Sequence, residues 1–179
     1  MFTHSMATET IIFTVFAPDR PGIVKTLSDI VLAHGGNWLE SSLTRMCGQF
    51  AGIVHINVPA TQKSSVEAAL AAIGRLNIHV TIHGDAVSDN NVVGEHQTVR
   101  LTVEANDREG IVDEIASALA KHHINVEKLT SSCTSASMAG YDIFQANIKV
   151  ALPEQLTLQE LEAILEDISD DVMVSVKSD

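Results

Sequence analysis

A hexapeptide recurs in this chain, and that recurrence restricts the fold more than any other feature. Asp19-Arg20-Pro21-Gly22-Ile23-Val24 returns as Asp107-Arg108-Glu109-Gly110-Ile111-Val112, an offset of 107 − 19 = 88 residues. The flanks repeat as well: residues 10–17 align with 98–105 without a gap, and Asn37 falls on Asn125. A strand, a turn and a helix start shared in one register describe a folding unit used twice. The chain has 179 residues, 45% of them hydrophobic, so each copy can bury a core of its own. The expected division is a first domain over 1–84, a linker over 85–96 and a second domain over 97–179.

Periodicity supplies the elements. Ile11, Phe13, Val15 and Ala17 alternate with Ile12, Thr14 and Phe16, which is the period of a strand. Beyond the 19–22 turn, Ile23, Val24, Leu27, Ile30 and Val31 make one helical stripe that Gly35-Gly36 ends. A strand over 38–47, a turn at Gly48 and a strand over 53–58 closed by Pro59 read as a hairpin. Ser64 and Glu67 have capping-box spacing at the start of a second helix, and 77–83 alternates again as a fourth strand. The order β-α-β-β-α-β predicts the α+β class, with two ferredoxin-like domains in tandem. Each is an antiparallel sheet with two helices on one face.

The second unit repeats the scheme. It runs from a strand over 99–105 and a helix carrying Ile111, Ile115, Ala116 and Leu119 to a Thr157…Glu160 capping box and a strand over 172–176. Aligning Val54-Ile56-Val58 on Ala146-Ile148-Val150 gives an offset of 92, so the second hairpin, through 134–140, is expected to hold 92 − 88 = 4 extra residues.

Charge separates the copies. Residues 1–86 hold five Lys/Arg and six Asp/Glu, whereas 87–179 hold six and seventeen, so the halves balance at −1 and −11. Such a field repels a phosphate backbone, which argues against direct nucleic-acid binding, and the acidic half suits either a basic partner or simple solubility. No apolar run approaches the length of a membrane span, and no secretion signal is legible. Cys47 and Cys133 read as free thiols of a reducing cytoplasm.

Catalytic motifs are absent: there is no nucleophile elbow, phosphate loop, dinucleotide fingerprint, H-E-x-x-H or C-x-x-C. Neither a catalytic set, a metal site nor a cofactor is expected. His55, His79 and His83 should share the outer face of the first sheet with Ile12, Phe16 and Ile53, as a contact surface rather than a metal site. His79 and His83 lie four strand residues apart, about 13 Å, too far to share one ion. The equivalent face of the second sheet should be hydrophilic, with Arg100, Glu104, Gln145, Asn147, Lys149 and Lys177.

The repeated turn is the candidate site. Asp19 is expected as an N-cap, Pro21 in the first helical turn, and Gly22 as a residue that keeps bulk away from the amides. Those amides and the helix dipole suit a carboxylate, to which Asn37 could add an amide group. In the second copy Asp107, Arg108, Gly110, Ile111 and Asn125 stand in equivalent places, but Glu109 sets a negative charge beside the anion site. The turn could equally serve as a helix cap alone.

Asp19-Arg20-Pro21-Gly22-Ile23-Val24 after an apolar strand, with Asn37 thirteen residues beyond Val24, resembles an ACT domain. Two such units filling the chain resemble the glycine cleavage system transcriptional repressor family. The resemblance implies a cytoplasmic regulator that senses an amino acid, glycine or a similar one, at Asp19, Arg20, Pro21, Gly22, Ile23 and Asn37. It also implies action through a protein partner, a DNA-binding activator, and association into a homo-oligomer. A ligand-free adaptor, or a regulatory subunit of an amino-acid metabolic enzyme, would show the same sequence.

Overall fold

In the computed structural model, residues 6–84, 96–136, 138 and 140–179 are described. The chain divides into two units between residues 91 and 92. Residues 85–95 of the expected linker lie outside the described residues.

Unit 1 runs β1 (Thr8–Pro18), α1 (Ile23–Ala33), β2 (Asn37–Met46), β3 (Gln49–Pro59), a short 3-10 turn (Ala60–Gln62), α2 (Lys63–Ala72), a second 3-10 turn (Ile73–Leu76) and β4 (His79–Ile82). Unit 2 runs β5 (Gln97–Asn106), α3 (Ile111–Lys121), β6 (Asn125–Ser135), β7 (Asp142–Leu152), α4 (Leu158–Glu166) and β8 (Met173–Ser178). The sheets are antiparallel, ordered β2-β3-β1-β4 and β6-β7-β5-β8. Both units are therefore α+β and ferredoxin-like.

Alternation places the cores. Ile11, Phe13, Val15 and Ala17 of β1 are buried with Val54, Ile56 and Val58 of β3 and with Ile23, Leu27 and Val31 of α1. In unit 2, Val99, Leu101, Val103 and Ala105 are buried with Ile111, Ile115 and Leu119 of α3. Two stripe assignments need correction. Val24 is exposed although Ile30 packs on the core, and Ala116 is exposed while Ala118 packs. At 100° per residue, Ala116 stands one position past buried Ile115, off the stripe, whereas Val24 shares the azimuth of buried Val31 but lies in the first turn, at the exposed end of the helix.

The hairpins also differ from expectation. Ile11 pairs with Ile56, and its equivalent Val99 pairs with Val150, so the third strands are offset by 150 − 56 = 94. The second hairpin thus holds 94 − 88 = 6 extra residues rather than four. The true match of Phe50 is Phe144, opposite Ala17 and Ala105 respectively. Gly52 then corresponds to Ala146. A Cβ at Gly52 would lie 2.1 Å from the Ser42 carbonyl oxygen and 2.7 Å from the side chain of Leu43, which stands opposite it, whereas Ser131 stands opposite Ala146.

Of the two expected capping boxes, one forms. Thr157 accepts from the Glu160 amide and Glu160 returns a bond to the Thr157 amide. Ser64 does not cap α2: the 3-10 turn after Pro59 starts the helical path earlier, leaving Ser64 inside the helix without an N-terminal amide to bind.

Candidate functional site

Neither repeated turn begins its helix as expected. Gly22 and Gly110 are the N-caps, both left-handed at φ +93° and +84°, and neither receives a side-chain cap. Asp19 is three residues too early to cap α1, and Pro21 lies in the turn before the helix rather than in its first turn. Glycine is required here for its positive φ, since a Cβ at either position would project into open space. The first helical bonds are Thr26 N–H to Gly22 O and Glu114 N–H to Gly110 O. The three amides before each of these donors have no acceptor within the helix. Ile23 and Ile111 are core residues, so neither side chain can meet a ligand, and the Ile111 N–H already donates to Arg108 O at 3.4 Å.

The surroundings of the two turns differ sharply in charge. In unit 1, Asp19 is anchored to the β2–β3 hairpin: its amide donates to Gly48 O at 2.9 Å, and its carboxylate pairs with Arg45 Nε at 2.7 Å. Arg20 donates to the carbonyl of Leu76 and meets no carboxylate among the described residues. The first turn of α1 contains no acidic residue. Asp19 is thus neutralised, and the turn keeps the positive charge of Arg20 and the positive end of the helix dipole.

Unit 2 supplies its own anions. Arg108 donates to Glu114 Oε1 at 2.8 Å, and its Nη2 lies 2.7 Å from Oε2. It also reaches Ser169, which donates to Asp171, and Asp171 accepts from the Asn106 amide at 2.9 Å. The Arg108 hydrogen bond holds the Glu114 carboxyl below the ordinary carboxylate range, and the Ser169 hydroxyl does the same for Asp171. Arg108 is held more firmly protonated by Glu114. Cys133 occupies the position equivalent to Arg45 (45 + 88 = 133), so Asp107 has no cation there. Desolvation, then its hydrogen bond to Asp107, pushes the Cys133 thiol up instead. Asp113 and Glu114 fill the first turn of α3, with Glu109 just before it.

Asn37 and Asn125 are not brought to these turns. Asn37 pairs with Asn57, which pairs with Thr10, while the 19–22 turn leaves β1 at Pro18. The separation along β1 is 18 − 10 = 8 residues, or about 26 Å at strand rise. Asn125 pairs with Ala151 beside Thr98, equally far from the 107–110 turn. Within one unit a single amino acid cannot touch both features. Sequence reasoning missed Arg45 and Glu114, the groups that decide the charge of each turn. The order β-α-β-β carries a signal for Arg45, because it brings the tip of the hairpin to the end of the first strand.

The ACT domain family matches residues 9–83 and, separately, residues 99–166. The chain belongs to the ACT domain family. It carries two ACT domains in tandem, which points to a regulatory, amino-acid-sensing role. Among solved structures, it is similar to a protein of unknown function from Galdieria sulphuraria, at 27% identity and TM-score 0.78 over 97% of this chain and 99% of that one. It is also similar to a protein provisionally named a glycine cleavage system transcriptional repressor, at 18% identity and TM-score 0.69 over 96% and 99% of the two chains. At that identity the likeness is one of fold. No curated protein matches the chain. Among the described residues, no His, Cys, Asp and Glu cluster is arranged to hold a metal, and no helix is long and apolar enough to cross a membrane.

Proposed function

We propose that this tandem ACT protein is a non-catalytic regulator whose first ACT domain senses an amino acid at the 19–22 turn. The observation that carries the reading is the charge contrast between the turns. The first ACT domain presents free amides, the Gly22 opening and Arg20 with no acid in the first turn of α1. An α-carboxylate fits that environment. Asp19 and Pro21 shape the turn rather than bind, and Asn37 and Asn125 are left out of a single-domain site. In the second domain Glu114 already occupies Arg108, so the 107–110 turn serves structure.

The regulator acts in the cytoplasm through a protein partner, in the manner of a glycine cleavage repressor that contacts a DNA-binding activator. The net charge of −12 supports contact with a partner over contact with DNA. Association into a homo-oligomer has an available edge in β6, exposed along its whole length from Asn125 to Ser135. Ligand changes such an assembly only through different affinities for its states. Calorimetric titration of the full chain with glycine, serine and other amino acids tests the sensing claim. Saturable heat with at least one of them is expected, and no heat or thermal shift at millimolar concentration overturns it.

A second reading, a ligand-free adaptor, is favoured by the outer face of the first sheet. There Phe16 and Ile53 are 51% and 47% exposed, beside a His55 Nε2 that is buried without a partner among the described residues. Under that reading Phe16→Asp abolishes partner binding, and no amino acid binds.

A further inference from the structure

The outer face of the second sheet carries a feature that costs stability and that amino-acid sensing leaves unused. Lys128 of β6 stands directly opposite Lys149 of β7, Lys149 opposite Arg100 of β5, and Arg100 opposite Lys177 of β8. Four cations thus form one row across all four strands, each beside a like charge. Like charges directly opposite in a sheet are destabilising. They are also four of the six Lys and Arg residues in a half of the chain that balances at −11. In the first sheet the same row reads Glu40, His55, Ile12 and His83, with no run of cations.

The adjacent row on that face is built for hydrogen bonding. Thr130 stands opposite Asn147, Asn147 opposite Thr102, and Thr102 opposite Ser175. Thr102 donates to Asn147 at 3.2 Å. A cavity of about 590 Å³ lies over both rows.

Part of the cationic row already holds a carboxylate. Asp179 places Oδ1 2.7 Å from Arg100 Nε and Oδ2 3.7 Å from Lys149 Nζ, and Glu127 reaches Lys149 at 3.9 Å. Lys128 and Lys177, at the two ends of the row, are exposed and have no acidic partner among the described residues. With strands about 4.8 Å apart, the four cations span about 14 Å. One carboxylate cannot neutralise that length.

We propose that this face binds a small polyanion, a molecule with two or more phosphate or carboxylate groups, spanning the Lys128–Lys149–Arg100–Lys177 row and taking hydrogen bonds from the Thr/Asn/Ser row. Binding relieves the cross-strand repulsion and competes with Asp179 for Arg100. The site is separate from the 19–22 turn and does not depend on it.

Calorimetry on the full chain at low ionic strength tests this, with pyrophosphate and citrate as separate probes. At least one is expected to bind saturably, weakening as salt is raised. Pyrophosphate alone identifies a phosphate-bearing ligand, citrate alone a polycarboxylate, and both a site that reads charge. Lys128→Gln with Lys177→Gln should raise the dissociation constant at least tenfold without lowering the melting temperature, because neither lysine has an acidic partner among the described residues to lose. If neither probe binds at millimolar concentration, or if the double variant binds as tightly as the parent, the assignment is overturned.

Discussion

The two Asp-Arg-x-Gly turns share backbone geometry and differ in what their arginines meet. Arg20 ends on a backbone carbonyl, and Arg45 cancels the charge of Asp19. Arg108 ends on Glu114, while Cys133, standing where Arg45 does in the first copy, gives Asp107 a thiol in place of a cation. The glycine and its positive φ are held in common because they start the helix. The first turn remains open to an outside anion, whereas the second has enclosed its own. The two copies therefore share the fold-making part of the motif and differ in its electrostatics. The outer sheet faces diverged too, one histidine-bearing and half apolar, the other crossed by cations.

Substitutions at paired positions can break or sharpen this comparison. The largest effect is expected from Gly52→Ala, whose new methyl would strike the Ser42 carbonyl and Leu43. A loss of about 3 kcal/mol in denaturant unfolding is expected, whereas Ala146→Gly in the second domain should cost about 1 kcal/mol. Next, Gly22→Val and Gly110→Val should each cost about 2 kcal/mol, because both force a β-branched residue to a positive φ. Equal costs with unequal effects on ligand are the signature of a shared cap and a single site.

Smaller effects separate the caps. Thr157→Ala should lower stability by about 1 kcal/mol, while Ser64→Ala should change it by only about 0.3 kcal/mol, measured by thermal unfolding. His123 takes the left-handed position (φ +56°) that Gly35 fills in the first copy. His123→Gly should therefore stabilise by about 0.5–1 kcal/mol.

Acid should act on the second domain through Glu114 and Asp171. Both are held below their ordinary range when folded, so their contribution is complete at neutral pH and is lost as pH falls through their depressed values. Glu114→Gln should flatten that part of the melting-temperature profile below about pH 4.5.

Much of this was legible in the residues. The period-2 pattern of β1 and the 88-residue offset specify both sheets, because a half-buried strand fixes its own register. Local spacing failed where tertiary context intervened. Ser64-x-x-Glu67 looks like Thr157-x-x-Glu160, yet the turn after Pro59 pre-empts the cap. Residue type alone does not set the hairpin offset, because Val54 and Val58 match apolar neighbours at several registers, and only the pairing partners of β1 and β5 select the right one. Asp19 has the residue type of an N-cap but not its position. The left-handed Gly22 sets the helix start three residues later and frees Asp19 to meet Arg45. Asn37 follows α1 in sequence but enters the sheet at its far end.

The central claim, that only the first turn is open to an amino-acid carboxylate, is tested most directly by the stoichiometry of amino-acid binding in the two glycine variants. Titration of the parent chain should give one site per chain, absent in Gly22→Val and unchanged in Gly110→Val. Two equivalent sites per chain, or binding that survives Gly22→Val and disappears in Gly110→Val, would contradict it.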